Sequence, residues 1–464
     1  MRFIPIFFSV LVFALLNTFT SFGIWSSVAV SIWLGYVANL IVNLNRSIAF
    51  REYILVIYGL NYIFSPALTY ELTQQVSFYK MRLSPEEYFP LAIPALFCLH
   101  AGLYVIKTKI FTYSFDLDKA ELQVNQNLLK QWLIGGVLLS FVSPFLAGDI
   151  GFAVYLLSGV RYLAAFGLFI IDKRKYKWYL FGILFIETVN ALRLGMFHDL
   201  VVWVLFFGLL WTYLKKPSVQ MKFVLTLLVC LAFFVLQITK ATYRQQLSSG
   251  NAGFSSFSSA VSKNTEGAGL FSLSNFALSV SRANQGWIFA SSVSRANVMQ
   301  NFQGMNLVSK YAEAALLPRV LAPNKLVAGD KTIFNTYSGY KVKSGTSMAL
   351  GLFADGYISY GKMGTFVFAF LFGILCGLVF KIIGNWTSVT PFFALFFFPI
   401  MNYAVRADCE TQAWMGHMVK GVIVFGILVH FAKKYFRRKL SALDEEEPDQ
   451  PEVELGKPLV TPTI

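Results

Sequence analysis

Twelve apolar runs divide this chain of 464 residues, at roughly 3–22, 24–43, 52–69, 88–106, 131–148, 151–171, 178–194, 198–214, 222–239, 364–384, 390–405 and 414–432. The hydrocarbon core of a bilayer is about 30 Å thick and takes about 20 apolar residues to cross as a helix. Such runs become helices because lipid offers no partner to a free backbone N–H or C=O. They predict an all-α, polytopic membrane protein with about twelve transmembrane helices. Composition agrees, since 56% of residues are apolar and 14% charged, against about 25% charged in soluble domains. The first run follows one positive charge, Arg2, as the core of a signal peptide would. No small-residue cleavage pattern follows and a second run starts at once, so a retained span is expected. Cys98, Cys230, Cys376 and Cys409 show no metal-ligand spacing, and neither a disulfide framework nor a zinc site is expected.

Lys and Arg in short connections stay cytoplasmic during insertion. "DKRKYK" (172–177), "KK" (215–216) and "KKYFRRK" (433–439) then share the cytoplasmic side with both termini, and "NRSIAFRE" (45–52) and the 107–130 segment fit the same count. The expected organisation is helices one to nine over 1–239 and a large extracytoplasmic loop over 240–346. A re-entrant or interfacial segment with helices ten to twelve follows over 347–433, and an acidic, disordered cytoplasmic tail over 434–464.

The loop is strongly basic. From Lys240 to Thr346 it carries eleven Lys or Arg against Glu266, Glu313 and Asp330, a net of +8 out of the chain's +15. A diffuse patch of this kind can adhere to anionic headgroups, each basic residue gaining about 1 kcal/mol near the surface. A few arginines in fixed positions can instead hold a membrane-borne phosphate, for which the guanidinium is a planar donor fork. Nucleic acid is not an expected partner. Residues 248–274 are rich in Ser, Gly and Asn and read as mobile. From Asn275 apolar residues recur at helical spacing (Phe276, Leu278, Val280, Ala283, Trp287, Ile288, Ala290), and "NLVSKYAEAALLPRVL" repeats the pattern. These predict short amphipathic helices on the outer membrane face, able to form a lid or wall.

The hexapeptide SVSRAN occurs twice, at 279–284 and 292–297. At about 100° per residue, thirteen residues put Arg282 and Arg295 on nearly opposite sides of a straight helix. The two cannot serve one ligand unless the helix breaks.

"LLPRVLAPNK" (316–325) and "GTSMALGLFADGYISYGKMG" (345–364), followed by a Gly-spaced apolar span, resemble bacterial Wzy-type O-antigen and oligosaccharide repeat-unit polymerases, over about residues 190–385. The resemblance implies a GT-C-like, metal-independent and inverting membrane glycosyltransferase of the bacterial cytoplasmic membrane, with no cofactor. It would transfer a growing glycan from its undecaprenyl diphosphate carrier to the non-reducing end of a new lipid-linked repeat unit, making O-antigen, capsule or exopolysaccharide. A flippase and a chain-length regulator of the same pathway are the implied partners. Negative charge developing on a diphosphate leaving group calls for fixed cationic donors, and the acceptor hydroxyl calls for a base. The chain shows no phosphate-binding Gly loop, which fits a lipid-linked donor.

Candidates follow in three groups. In "ALRLGMFHDLVVW" (191–203), Arg193 matches an arginine of the family in a comparable place, with His198 and Asp199 beside it; the alternative is interfacial charge with Asp199 capping the next helix. In "NYAVRADCETQAWMGH" (402–417), Arg406, Asp408 and Glu410 either pair among themselves or contact substrate, with His417 opening the last span. Asp355, Tyr357 and Tyr360 belong to the family-like motif, although Gly and Tyr there also suit close packing. Arg282 and Arg319 are the implied catalytic arginines with Arg193, Lys325 is a substrate contact, and Arg295 is left to a headgroup or structural role. The base is open among Asp355, Asp408, Glu410 and His198. Arg161, inside a span, is expected to face the bundle or snorkel, and Gly364, Gly373 and Gly377 to let helices approach closely.

An O-antigen ligase would use the same donor. A polysaccharide or lipid-linked oligosaccharide transporter would place charges near the midplane and repeat its halves, a pattern not seen here, and a structural partner of a glycan-assembly complex would tolerate loss of the arginines.

Overall fold

The computed structural model of the chain describes residues 4–73, 79–108, 122, 125–146, 148–250, 253–265, 269–326, 331–342 and 348–446, the last thirteen of these without their side chains. The 434–464 tail, Glu266, Asp330, much of the 107–130 segment and residues 345–347 of the family-like motif lie wholly or largely outside them. The described residues are helical, with no strand among them. Eight helical stretches are long and apolar enough to cross a membrane: Ile24–Asn43, Pro85–Val105, Gln126–Phe145, Gly148–Ile171, His198–Lys215, Val219–Ser248, Leu352–Trp386 and Thr411–Lys433; Pro5–Phe19 and Pro391–Met401 are shorter apolar helices. The chain is a polytopic membrane protein.

Close packing is concentrated where glycines allow it. A Cβ on Gly373 would stand 2.6 Å from the backbone nitrogen of Leu103 and 2.7 Å from the Gly102 carbonyl carbon. Helices Pro85–Val105 and Leu352–Trp386 therefore touch backbone to backbone, and Gly377 packs on Ile106 one turn on. Inside the bundle Arg161 donates to Glu187 at 2.8 Å and to Ser158 and the Tyr162 hydroxyl. A lone charge would be expensive there, and pairing removes that cost.

Connections hydrogen-bond in two sets. Gly23 N–H donates to Glu71, Asn284 to Thr69, Arg244 to the Gly195 carbonyl, Arg319 N–H to Asp149 and Tyr62 to the Ala407 carbonyl. Separately, Arg51 donates to the Ile106 carbonyl and Lys222 to the Ile41 carbonyl. The first set gathers at one end of the bundle.

Three local features differ from expectation, and a fourth is a reversal of the chain. The apolar run ending near 239 continues as one helix to Ser248, because Lys, Arg and Gln are good helix formers. Part of the Ser/Gly-rich stretch is a helix, Phe254–Thr265, held by Phe257 and Ala260 against Phe197 and Tyr243. The run expected at 390–405 is a 3₁₀ turn, Pro391–Phe396, and a short helix, Phe397–Met401; Pro391 and Pro399 each lack an N–H. Finally, the Leu352–Trp386 stretch is interrupted at Tyr360 (φ −139°, ψ 28°) and Gly361 (φ 62°, ψ −150°). The Thr365 hydroxyl reaches the Phe353 carbonyl at 3.3 Å, whereas twelve residues of straight helix would separate these by about 18 Å. The short segment thus folds back on the long helix, with Gly356 and Gly364 backbone against backbone, as a re-entrant element would.

Candidate functional site

The break between the two SVSRAN copies builds the site. Helix Leu273–Ala283 ends with Arg282 in its last turn, Asn284 and Gln285 form a corner, and a new helix runs Gly286–Met299. Asn284 holds the corner, donating to Thr69 at 2.8 Å while its Oδ1 accepts the Trp287 N–H. Gln285 donates to the Ala349 and Leu350 carbonyls at 3.0 and 3.1 Å, fixing the entry to the re-entrant segment. In the second copy Asn297 accepts the Tyr357 hydroxyl at 2.8 Å, and Arg295 donates to the Thr336 carbonyl at 2.6 Å. The straight-helix geometry does not apply, and the two arginines have separate surroundings.

Arg282 joins Lys240 and Arg244, one turn apart on the extended end of helix Val219–Ser248. Lys240 lies within the fields of Arg244, Arg282 and Asp408. Burial, and then the neighbouring Arg244 cation, lowers the Arg282 guanidinium below its ordinary value. Its Nε is buried without a hydrogen-bond partner. None of the three cations makes an ion pair among the described residues. Arg244 is located by its Nε bond to the Gly195 carbonyl, 3.0 Å; Gly195, at φ 61°, closes helix Lys173–Leu194 in a left-handed turn that suits glycine. Next to it His198 feels Arg406, Asp408, Asp199 and Lys240, and its Nε2 is buried and unpartnered. Arg406 pairs with Asp199 and lies over the Tyr403 ring, 4.1 Å from its centroid. Burial opposes the Arg406 charge and Asp199 outweighs it, leaving this guanidinium above its ordinary value.

Of the sequence candidates, then, Arg282, His198, Arg406 and Asp408 come together. Lys240 and Arg244 are partners that sequence reasoning missed as a group; their i, i+4 spacing was the available signal, since like charges so placed cost helix stability.

Asp355 is elsewhere. It is 3% exposed, and its carboxylate accepts the Tyr311 hydroxyl (2.9 Å), the Thr411 N–H (3.1 Å) and the Thr411 hydroxyl (2.7 Å). Burial, followed by the Asp355 charge, raises the Tyr311 phenol well above its ordinary range, so it remains a donor. Asp355 ties helix Gly304–Leu316, the re-entrant segment and the start of the last helix into one joint. Glu410 accepts from Gln412 at 2.8 Å. Tyr360 is half-exposed at the chain reversal, 3.5 Å from the Met305 sulfur. Arg193 is exposed.

Arg319 and Lys325 form a third group, around Asp149. The Arg319 N–H donates to Asp149 at 2.7 Å, as does Lys420, and Lys325 stands 3.5 Å away while bonding the Leu317 carbonyl at 2.5 Å. Burial and the adjacent Lys420 lower the Lys325 amine below its ordinary value. No bond or ion pair among the described residues links this group to Arg282.

A helical bundle with span-length apolar helices and a basic, partly buried cluster at one end of them is a polytopic membrane protein. The model of the family described as Domain of unknown function (DUF8712) matches residues 61–387, and the chain belongs to that family. The match takes in His198, Lys240, Arg244, Arg282, Arg319 and Asp355 and leaves Arg406, Asp408 and Glu410 beyond its end. No curated protein and no solved structure matches the chain significantly.

Proposed function

We propose that the chain polymerises undecaprenyl-diphosphate-linked oligosaccharide repeat units at the outer face of a bacterial cytoplasmic membrane. One observation carries this reading: Arg282, Lys240 and Arg244 are mutually repelling cations, none of them in an ion pair among the described residues, and Arg282 and Lys240 are half-buried at the end of the bundle. Such a group is costly unless an anion completes it, and a lipid-borne diphosphate reaches the membrane boundary at the required depth. The reading takes the finer topology with it: twelve spans, both termini cytoplasmic and residues 240–346 outside. The two sets of connections support that alternation.

In the proposed reaction an acceptor hydroxyl attacks the anomeric carbon of the donor, the carbon–oxygen bond to the diphosphate breaks, and the diphosphate leaves with the bonding pair. The three cations stabilise the developing charge in a site where water is scarce. The hydroxyl proton passes to His198, whose unpartnered Nε2 faces the same charges. Asp355 and Glu410, held by donors, are assigned to structure, and Asp408 to tuning His198 and Lys240. The test is deletion of the gene and complementation, with glycan length read on a gel. Wild type should restore long polymer, and Arg282→Ala only a single capped repeat unit. Long polymer in the deletion strain would overturn the function, and long polymer with Arg282→Ala would overturn the site. Loss of all capping, including the single unit, would point to a ligase.

A further inference from the structure

The turn after helix Gly304–Leu316 carries an apolar tip that faces away from the protein. Val320 is 91% exposed and Leu321 70%, with Leu316 and Leu317 also exposed. The Arg319 N–H bond to Asp149 and the Lys325 and Lys420 contacts to the same carboxylate fasten this tip to the beginning of the helix Gly148–Ser158. Two span-length apolar stretches, Gln126–Phe145 and Gly148–Ile171, meet at that point. Their outward residues there, Phe145 and Ile150, are 88% and 70% exposed, so they face lipid. The tip therefore continues a lipid-facing surface at the height where that surface ends.

Part of its backbone is already hydrogen-bonded within the protein. Leu317 N–H donates to the Glu313 carbonyl, Leu321 and Ala322 N–H to the Pro318 carbonyl and Arg319 N–H to Asp149, while Pro318 has none to satisfy. The Arg319 side chain is exposed beside the tip, without an ion pair among the described residues.

We propose that Leu317–Leu321 is a membrane anchor: Val320 and Leu321 insert among phospholipid acyl chains, and Arg319 meets the headgroup phosphates above them. The anchor sets the height of helix Gly304–Leu316 over the bilayer, and through Tyr311 the position of the Asp355 joint. Arg319 is thereby assigned to bilayer phosphate and not to a reacting diphosphate.

The test uses the full chain in nanodiscs of phosphatidylethanolamine and phosphatidylglycerol. Val320→Cys and Leu321→Cys are each labelled with an environment-sensitive fluorophore, and the unsubstituted protein is labelled in parallel to subtract its own cysteines. Ser249→Cys is the reference, because Ser249 follows a helix that runs nine residues, about 14 Å, beyond its apolar stretch. Spin-labelled lipid should quench positions 320 and 321 about twofold or more above position 249, with a blue-shifted emission. Quenching and emission equal to those at 249 would overturn the anchor, whatever the protein does to glycans.

Discussion

Replacing Asp355 separates a structural joint from a catalytic base. Asparagine keeps the shape of the side chain. Its Oδ1 can take over the two Thr411 bonds and its Nδ2 can donate to the Tyr311 hydroxyl, which then accepts. Hydrogen bonds to a charged group are worth about 1.5–3 kcal/mol and neutral ones about 1 kcal/mol, so three bonds weaken. The cost of burying a carboxylate disappears at the same time, and the net loss should be about 1–2 kcal/mol. Alanine leaves the buried Thr411 N–H and two hydroxyls without their acceptor; at about 1–3 kcal/mol for an unpaired donor, with a small cavity added, the loss should be about 3–5 kcal/mol. A general base, by contrast, contributes about 10²–10⁴-fold in rate. Thermal unfolding in detergent and repeat-unit transfer are the two measurements. Asp355→Asn should unfold slightly earlier and transfer within about tenfold of wild type, while Asp355→Ala unfolds far earlier. A hundredfold or greater loss of transfer in Asp355→Asn, with its unfolding midpoint unchanged, would refute the joint and make Asp355 the base.

Arg282→Ala and Arg295→Ala should differ: the first should abolish long polymer on the gel, and the second should keep it while losing about 1 kcal/mol for its bond to the Thr336 carbonyl. Glu187→Ala strands the buried Arg161 charge and should cost about 3–5 kcal/mol in the same thermal assay, most of which the double change of both residues to methionine should recover. Gly373→Val puts a branched side chain where a Cβ already meets the Leu103 backbone at 2.6 Å, and should cost about 3 kcal/mol or more and lower the yield of folded protein.

The parts of the fold that hydropathy encodes were legible in the sequence, because lipid imposes one rule on every span. The Gly373–Gly377 step and the inward-facing Arg161 follow from the same physics. The site was legible only as an inventory of charges. What sorts them depends on residues far apart in the chain: Asp149 accepts from Arg319 and from Lys420, 170 and 271 positions away, and no local pattern announces that. The corner at Asn284 was hidden for a similar reason. Its anchor is Thr69, 215 positions distant, whereas the helical periodicity runs through the break unchanged. Lys240 and Arg244 lie beyond the apolar run, and hydropathy does not mark them as part of its helix, because polar helix formers continue a helix into water at little cost.

Three neighbouring cations with no ion pair among the described residues are a conflict between local stability and the rest of the fold, and such conflicts mark functional sites. Removing one of these charges should act opposite in sign to most substitutions of buried residues. Arg282→Met keeps the aliphatic stem that packs at the helix end and removes the charge repelled by Arg244, together with an Nε that is buried without a partner. Without ligand the variant should be more stable than wild type, by about 1 kcal/mol, since an unsatisfied buried donor alone costs about 1–3 kcal/mol. With farnesyl diphosphate present the order should reverse, because the ligand stabilises only the protein that binds it. The two thermal curves, with and without the diphosphate, should therefore cross between the variants. A ligand-free Arg282→Met that unfolds earlier than wild type would show that Arg282 is held by bonds that stabilise the fold, and the case for an anion completing the site would fall with it.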